Sequence, residues 1–218
     1  MSARPSRDAV ALCGILGAPL LVLSFVINPA PPANLDPAQL RAFAVQHHDL
    51  IVIGGWLQGM ASLLLVLFAI GLVHLAGAAH QLAGWITLLA GAVILMVSLT
   101  EITFYPGAAQ AVENGDLTSG IVSNALIKAV QHVFLIAPAM LLPVGFVLLG
   151  SGVLPRVFAY LALAIGAALQ VLGFLGLFGM LQPVIDNILI IQALWFVAAE
   201  VAVLVGRNQS CSVISHAA

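Results

Sequence analysis

Hydrophobic residues in this chain fall in long runs rather than in alternation. Residues 9–27, 49–75, 82–104, 128–149, 157–181 and 187–205 are dominated by Leu, Val, Ile, Ala, Phe and Gly, with few charges inside them. An apolar run of about 18 or more residues can cross the hydrocarbon layer of a bilayer as a helix. The pattern predicts an all-α, polytopic transmembrane helix bundle of six spans, forming one domain over residues 1–218. Composition agrees, with 62% hydrophobic and only 6% charged residues. Soluble domains carry about a quarter charged residues.

The breaks between runs set the expected topology. Arg4 and Arg7 precede the first run and Asn28-Pro29 closes it. A basic head with a small-residue exit is also the form of a secretory signal, but the length of the run favours a retained helix. Cleavage there would leave five spans, and re-entry of residues 36–46 would make seven. In the first long connection, 28–48, the prolines at 29, 31, 32 and 37 oppose a continuous helix at its start. Asp36 suits an N-cap and Pro37 a first helical position, beginning either an interfacial helix or the leading turns of the second span. Residues 76–81 form a tight turn, and Pro106-Gly107 is expected to stop the third span. In the second long connection, 105–127, Asp116 precedes a lead-in helix, LTSGIVSNALIKAV. Pro138 and Pro143 should bend the fourth span, Gln182-Pro183 should end the fifth, and the tail after Arg207 should be disordered.

Basic residues give the orientation. Arg4, Arg7, Arg156 and Arg207 fall on one side, and Arg41 and Lys128 on the other, which predicts N-in/C-in in the cell (inner) membrane. Both long connections then lie outside. There is no basic tract for nucleic acid, and Cys13 and Cys211 lack a plausible disulfide partner. Expected partners are therefore the lipid bilayer and a lipophilic small molecule, and copies of the chain could associate through the Gly-rich faces of the second and fifth spans.

That topology gathers polar residues at the outer ends of the helices. His47, His48 and Asp49 open the second span, Glu101 is near the outer end of the third, and Lys128, Gln131 and His132 start the fourth. Asp186 and Asn187 open the sixth, where Asp186 suits an interfacial cap. Ionisable residues inside a span are costly and by default mark function. Glu101 and His132 are the expected acid–base pair, with His48 and then His47 beside them. Gln58, about 15 Å below His47 on a stripe with Ile51 and Gly54, is expected to bind substrate together with Trp56, Asp49, Gln131 and Lys128. Equally, Glu101 could serve only to pair with Lys128 or His132 and hold the bundle together. His47, His48, Asp49 and Lys128 could simply sit among headgroups. Glu200, deeper in the sixth span, could pair with Arg207, accept from Gln170, or form a second level of a proton path with Glu101. His47, His48, Asp49, His132 and Glu101 are ligand types for zinc or iron, and His48 with His132 could hold haem. No HExxH or clustered Cys/His spacing is present, so no metal or other cofactor is expected.

Three functional classes fit these features. One is a membrane-embedded enzyme performing acid–base isomerisation, cyclisation or hydrolysis on a lipophilic small molecule, in a pocket open to the outer leaflet. A second is a small proton-coupled transporter, supported by Gln58, Gln170, Gln192 and Glu200 and opposed by the lack of an internal repeat. The third is a non-catalytic partner or sensor subunit. The six-span layout, the long first outer connection and the segment HHDLIVIGGWLQG resemble small bacterial integral membrane proteins grouped by a domain of unknown function. That resemblance implies a six-helix fold and no activity. The chain differs from a rhodopsin in having no Lys in its last span.

Overall fold

The computed structural model describes residues 7–29, 36–130, 139–176 and 182–215. Gln131 and His132, and the side chains of Lys128, Asp186 and Arg207, lie outside the described residues. The described chain is all-α, with helices α1 (Arg7–Ile27), α2 (Pro37–Leu75), α3 (Leu82–Glu113), α4 (Leu117–Val130), α5 (Leu141–Leu149), α6 (Arg156–Gly176) and α7 (Gln182–Ser215). Four of them, α1, α2, α3 and α6, are long and apolar enough to cross a membrane, and α7 adds a shorter apolar stretch, Ile190–Val205.

Packing order makes a closed ring. α1 lies against α2, α2 against α3, α3 against α5, α5 against α6, α6 against α7, and α7 returns to α1. α2 also touches α5 across the ring, and α4 runs along α3. The main core lies where these helices meet, around Phe68, Leu72, Leu141, Leu148, Leu169 and Phe196. Outward faces carry Phe25, Leu89, Met96, Phe174 and Leu194 exposed. Large apolar side chains both inside and outside the bundle require a hydrocarbon solvent rather than water. The protein is a multi-pass integral membrane protein.

α2 and α3 overshoot the membrane. At 1.5 Å per residue, the 39 residues of α2 extend about 58 Å and the 32 of α3 about 48 Å, against a hydrocarbon layer of about 30 Å. Their turn, residues 76–81, closes tightly on Gly77 at φ 66°, so the surplus projects at the other end, called here the His48 end. There Ala44, Ile51, Ala109 and Val112 form a separate small core with Phe43, Tyr105 and Leu117 packed on it.

Several boundaries follow from local chemistry. Asp36 caps α2 by accepting from the Gln39 backbone N–H at 2.8 Å, while the Gln39 side chain accepts from the Asp36 N–H, a reciprocal box with Pro37 at the helix start. Residues 37–48 are thus the leading turns of α2. Asp116 accepts from the Ser119 backbone N–H at 3.0 Å and from its hydroxyl at 2.6 Å, which starts α4. Those hydrogen bonds hold its carboxyl below the ordinary 3.8.

Two expectations are corrected. Pro106-Gly107 does not stop α3, which runs on to Glu113. Pro106 lies within van der Waals reach of Gly55 on α2, and that packing outweighs one missing backbone hydrogen bond. The tail beyond Arg207 is not separate from the helix, because α7 continues to Ser215; extending an existing helix avoids the cost of nucleation. Gln182-Pro183 stands at the start of α7, and residues 177–181 before it lie outside the described residues. Pro143 falls in the first turn of α5, where its missing N–H would have had no intrahelical partner, and Pro138 lies outside the described residues.

Candidate polar seam and buried carboxyl

α2 and α3 are antiparallel, and small residues bring them close. A Cβ on Gly59 would stand 2.6 Å from the Ile102 Cδ1, and Gly55 meets Ile102 and Pro106. Along this seam lie three polar pairs at successive depths. At the His48 end, the His48 Nδ1 is 2.9 Å from Glu113 Oε1, with the two side chains 39% and 21% exposed. About three turns further in, Gln58 Nε2 donates to Glu101 Oε2 at 2.6 Å. One turn beyond, the Ser62 and Ser98 hydroxyls are 2.7 Å apart and buried.

The end of α1 closes over the upper part of this seam. The side chain of Asn28 sits on Gly54, where a Cβ would come within 2.7 Å of the Asn28 Cβ. Tyr105, one turn from Glu101 on α3, donates its hydroxyl to the Pro29 carbonyl. Asn28 Oδ1 is buried with no hydrogen-bond partner. Gly54 therefore lets α1 meet the Gln58 stripe of α2 directly above the Gln58–Glu101 pair.

The expected site residues separate into distinct environments. His48 joins Glu113, whereas His47 stacks on Phe43 with ring centroids 4.7 Å apart. Asp49 is exposed. Trp56 is 63% exposed and lines, with Met60, Leu63, Leu95 and Leu99, an apolar groove of about 180 Å³ on the lipid-facing side of the α2–α3 seam. Gln58 and Glu101 meet directly. His132, Gln131 and the Lys128 side chain lie outside the described residues, so the expected Glu101–His132 pairing falls there too. Among the described residues no group of three or more His, Cys, Asp or Glu side chains converges as a metal site would require.

Glu200 occupies a second, separate environment. It is 1% exposed, and neither carboxyl oxygen has a hydrogen-bond partner. The alternative of a bond to Gln170 is not realised; the Gln170 Oε1 accepts instead from the Ala139 backbone N–H at 3.1 Å. Glu200 lies against Gly14 of α1 so closely that a Cβ there would fall 2.2 Å from the Glu200 Cγ. One turn away, Phe196 packs edge-on against Phe68 of α2 at 6.1 Å.

Residue-by-residue reading of the sequence missed Glu113, Ser62, Ser98 and Gly14. Partners in an antiparallel hairpin lie equally far from its turn. The tight turn at 76–81 therefore already paired position 58 with 101 and 62 with 98. Glu113 was hidden by the expectation that Pro106 ends α3. No protein-family model matches the chain, and no curated protein or solved structure matches it. Fold and composition define the class: a multi-span α-helical membrane protein. The resemblance drawn from HHDLIVIGGWLQG carries that class and nothing finer.

Proposed function

We propose that the protein is a small carrier that couples movement of a solute to an ion gradient, crossing the membrane six times with both termini on the cytoplasmic face. The observation that carries this reading is the α2–α3 seam, where His48–Glu113, Gln58–Glu101 and Ser62–Ser98 step from one membrane surface into the middle of the bundle. Polar side chains at that depth are costly unless they serve packing or passage. Polar pairs bonded across helices also serve packing, and what favours passage is that these three follow one another inward along a single seam. Glu200 places a further carboxyl toward the opposite surface, beyond Phe68 and Phe196.

The test uses purified protein in sealed phosphatidylcholine–phosphatidylglycerol vesicles on a solid-supported membrane, challenged with a panel of small amines, carboxylates, sugars and lipophilic cations. Solute-evoked current in the wild type, lost in Glu101→Gln and absent from empty vesicles, is the expected result. A second reading, an enzyme acting by acid–base chemistry on a lipophilic molecule, is favoured by one observation: His48 and Glu113 form a hydrogen-bonded acid–base pair open to water at the membrane surface. On that reading Glu101, His132, His48 and His47 act on the substrate, and Gln58, Trp56, Asp49, Gln131 and Lys128 bind it. Conversion of a lipophilic substrate without any current, abolished by Glu101→Gln in folded protein, would decide for the enzyme.

A further inference from the structure

We propose that the coupling ion is the proton and that Glu200, seated in the slot left by Gly14, is the side chain that binds it. This rests on the carrier reading and names its ion. Two independent observations meet at the site. One is a carboxyl 1% exposed whose two oxygens touch no donor or cation. The other is a glycine in the neighbouring helix at a position where any larger residue would strike Glu200 Cγ, Cδ and Oε1. A carboxyl buried by accident would be expected to turn toward the nearest amide or hydroxyl. Here α1 leaves out a side chain so that this one fits.

The surroundings select the ion. A metal cation at a protein site gathers several oxygen ligands, whereas the two Glu200 oxygens have no hydrogen-bond partner that would hold them in place for one. Phe196, Ala199 and Val203, which flank Glu200 on α7, are buried and apolar. A proton needs only the carboxylate itself and removes the charge that such a setting disfavours. The titratable and charged groups on the helices packed against α7 are Arg7, Asp8 and Cys13 on α1 and Arg156 and Tyr160 on α6, with His74 on nearby α2. None of them bonds to Glu200. On α7 itself, the side chains of Asp186 and Arg207 lie outside the described residues.

The proposal is tested with dicyclohexylcarbodiimide on the full chain in vesicles, with no solute present. A protonated carboxyl in an apolar setting adds across one C=N bond and delivers its proton to that nitrogen. The resulting O-acyl adduct rearranges to a stable N-acylurea with no leaving group. Mass spectrometry should place the adduct on Glu200, with a rate that falls about tenfold per pH unit on the alkaline side of the titration and is unchanged when NaCl replaces KCl. Glu200→Gln should abolish that adduct, and Gly14→Ala should slow its formation several-fold. Protection by sodium, or no Glu200 adduct at any pH in folded protein, overturns the proposal. Should Gly14→Ala fail to fold, the wild-type pH series and the sodium comparison still decide. The two readings fail separately. Labelling at Glu200 without solute-evoked current rejects the carrier and with it the coupling role, leaving Glu200 as a proton-binding carboxyl, whereas current that survives Glu200→Gln rejects the proton site alone.

Discussion

The hydrogen bond between Gln58 and Glu101 is half-buried on the α2–α3 seam, and such bonds in membrane proteins contribute about 0.6 to 2 kcal/mol each. Glu101→Gln keeps an amide oxygen opposite the Gln58 Nε2, whereas Glu101→Leu leaves that amide without this partner. Stability in mixed micelles should therefore fall by about 1 kcal/mol more for Glu101→Leu than for Glu101→Gln. A double-mutant cycle of Gln58→Leu with Glu101→Leu should return a coupling of the same size. Outside the membrane, Asp116 gives a pH signature. Its carboxyl is held below the ordinary 3.8 by the Ser119 hydroxyl and N–H, so its contribution to the start of α4 is complete above that value. The contribution is lost as pH falls through the lowered value. Protection of the Ser119 and Gly120 amides, relative to their intrinsic exchange rates, should fall in acid below about pH 4, and Asp116→Asn should flatten that dependence. At this scale part of the polar seam was legible in the sequence. Gln58, Glu101 and Glu200 are polar inside apolar runs and His48 stands just before one, which flags them individually. Their partners depend on helix register, which no single residue reveals.

Among the helices, α2 and the turn after it were legible because their signals are local. Asp36, Pro37 and Gln39 form a start signal within one turn, and the turn at 76–81 is announced by a break in the apolar run. α3 was misread because proline weighs heavily in a local rule and lightly in a helix already packed on a neighbour. The glycines divide in the same way. At Gly59 the obstacle to a Cβ is the Cδ1 tip of Ile102, which can turn aside. At Gly166 it is the Leu142 backbone nitrogen, 2.4 Å away, which cannot move without shifting α5. Gly166→Ala should thus destabilise the protein by about 1–3 kcal/mol, and Gly59→Ala by less than about 1. Equal losses at the two positions, measured by the same unfolding assay, would show that α5 does not lie on α6 as closely as this packing implies.

For the whole molecule, the ring of helices fixes which residues share an end, and the remaining question is which end faces the cytoplasm. Arg7 and Arg156 lie at the end of the bundle with the 76–81 turn, whereas Arg41 lies at the end where α2, α3 and α4 project beyond the hydrocarbon layer. Basic residues near short loops are retained on the cytoplasmic side, so the projecting end should face outward. This asymmetry could be read from the charges alone. The helices starting at Pro37 and Leu117 were legible from their start signals; what the sequence did not reveal is how they pack, because the small core of Ala44, Ile51, Ala109 and Val112 is assembled from two distant segments. With Cys13 and Cys211 replaced by Ser, a cysteine introduced by Ser119→Cys at the start of α4 should react with a membrane-impermeant maleimide on intact cells. One introduced by Ser151→Cys, in the turn between α5 and α6, should react only after permeabilisation. The reverse pattern would turn the molecule over. His48–Glu113 would then face the cytoplasm and Glu200 the outer half of the membrane, so an inward proton gradient would meet Glu200 before Glu101 rather than after it.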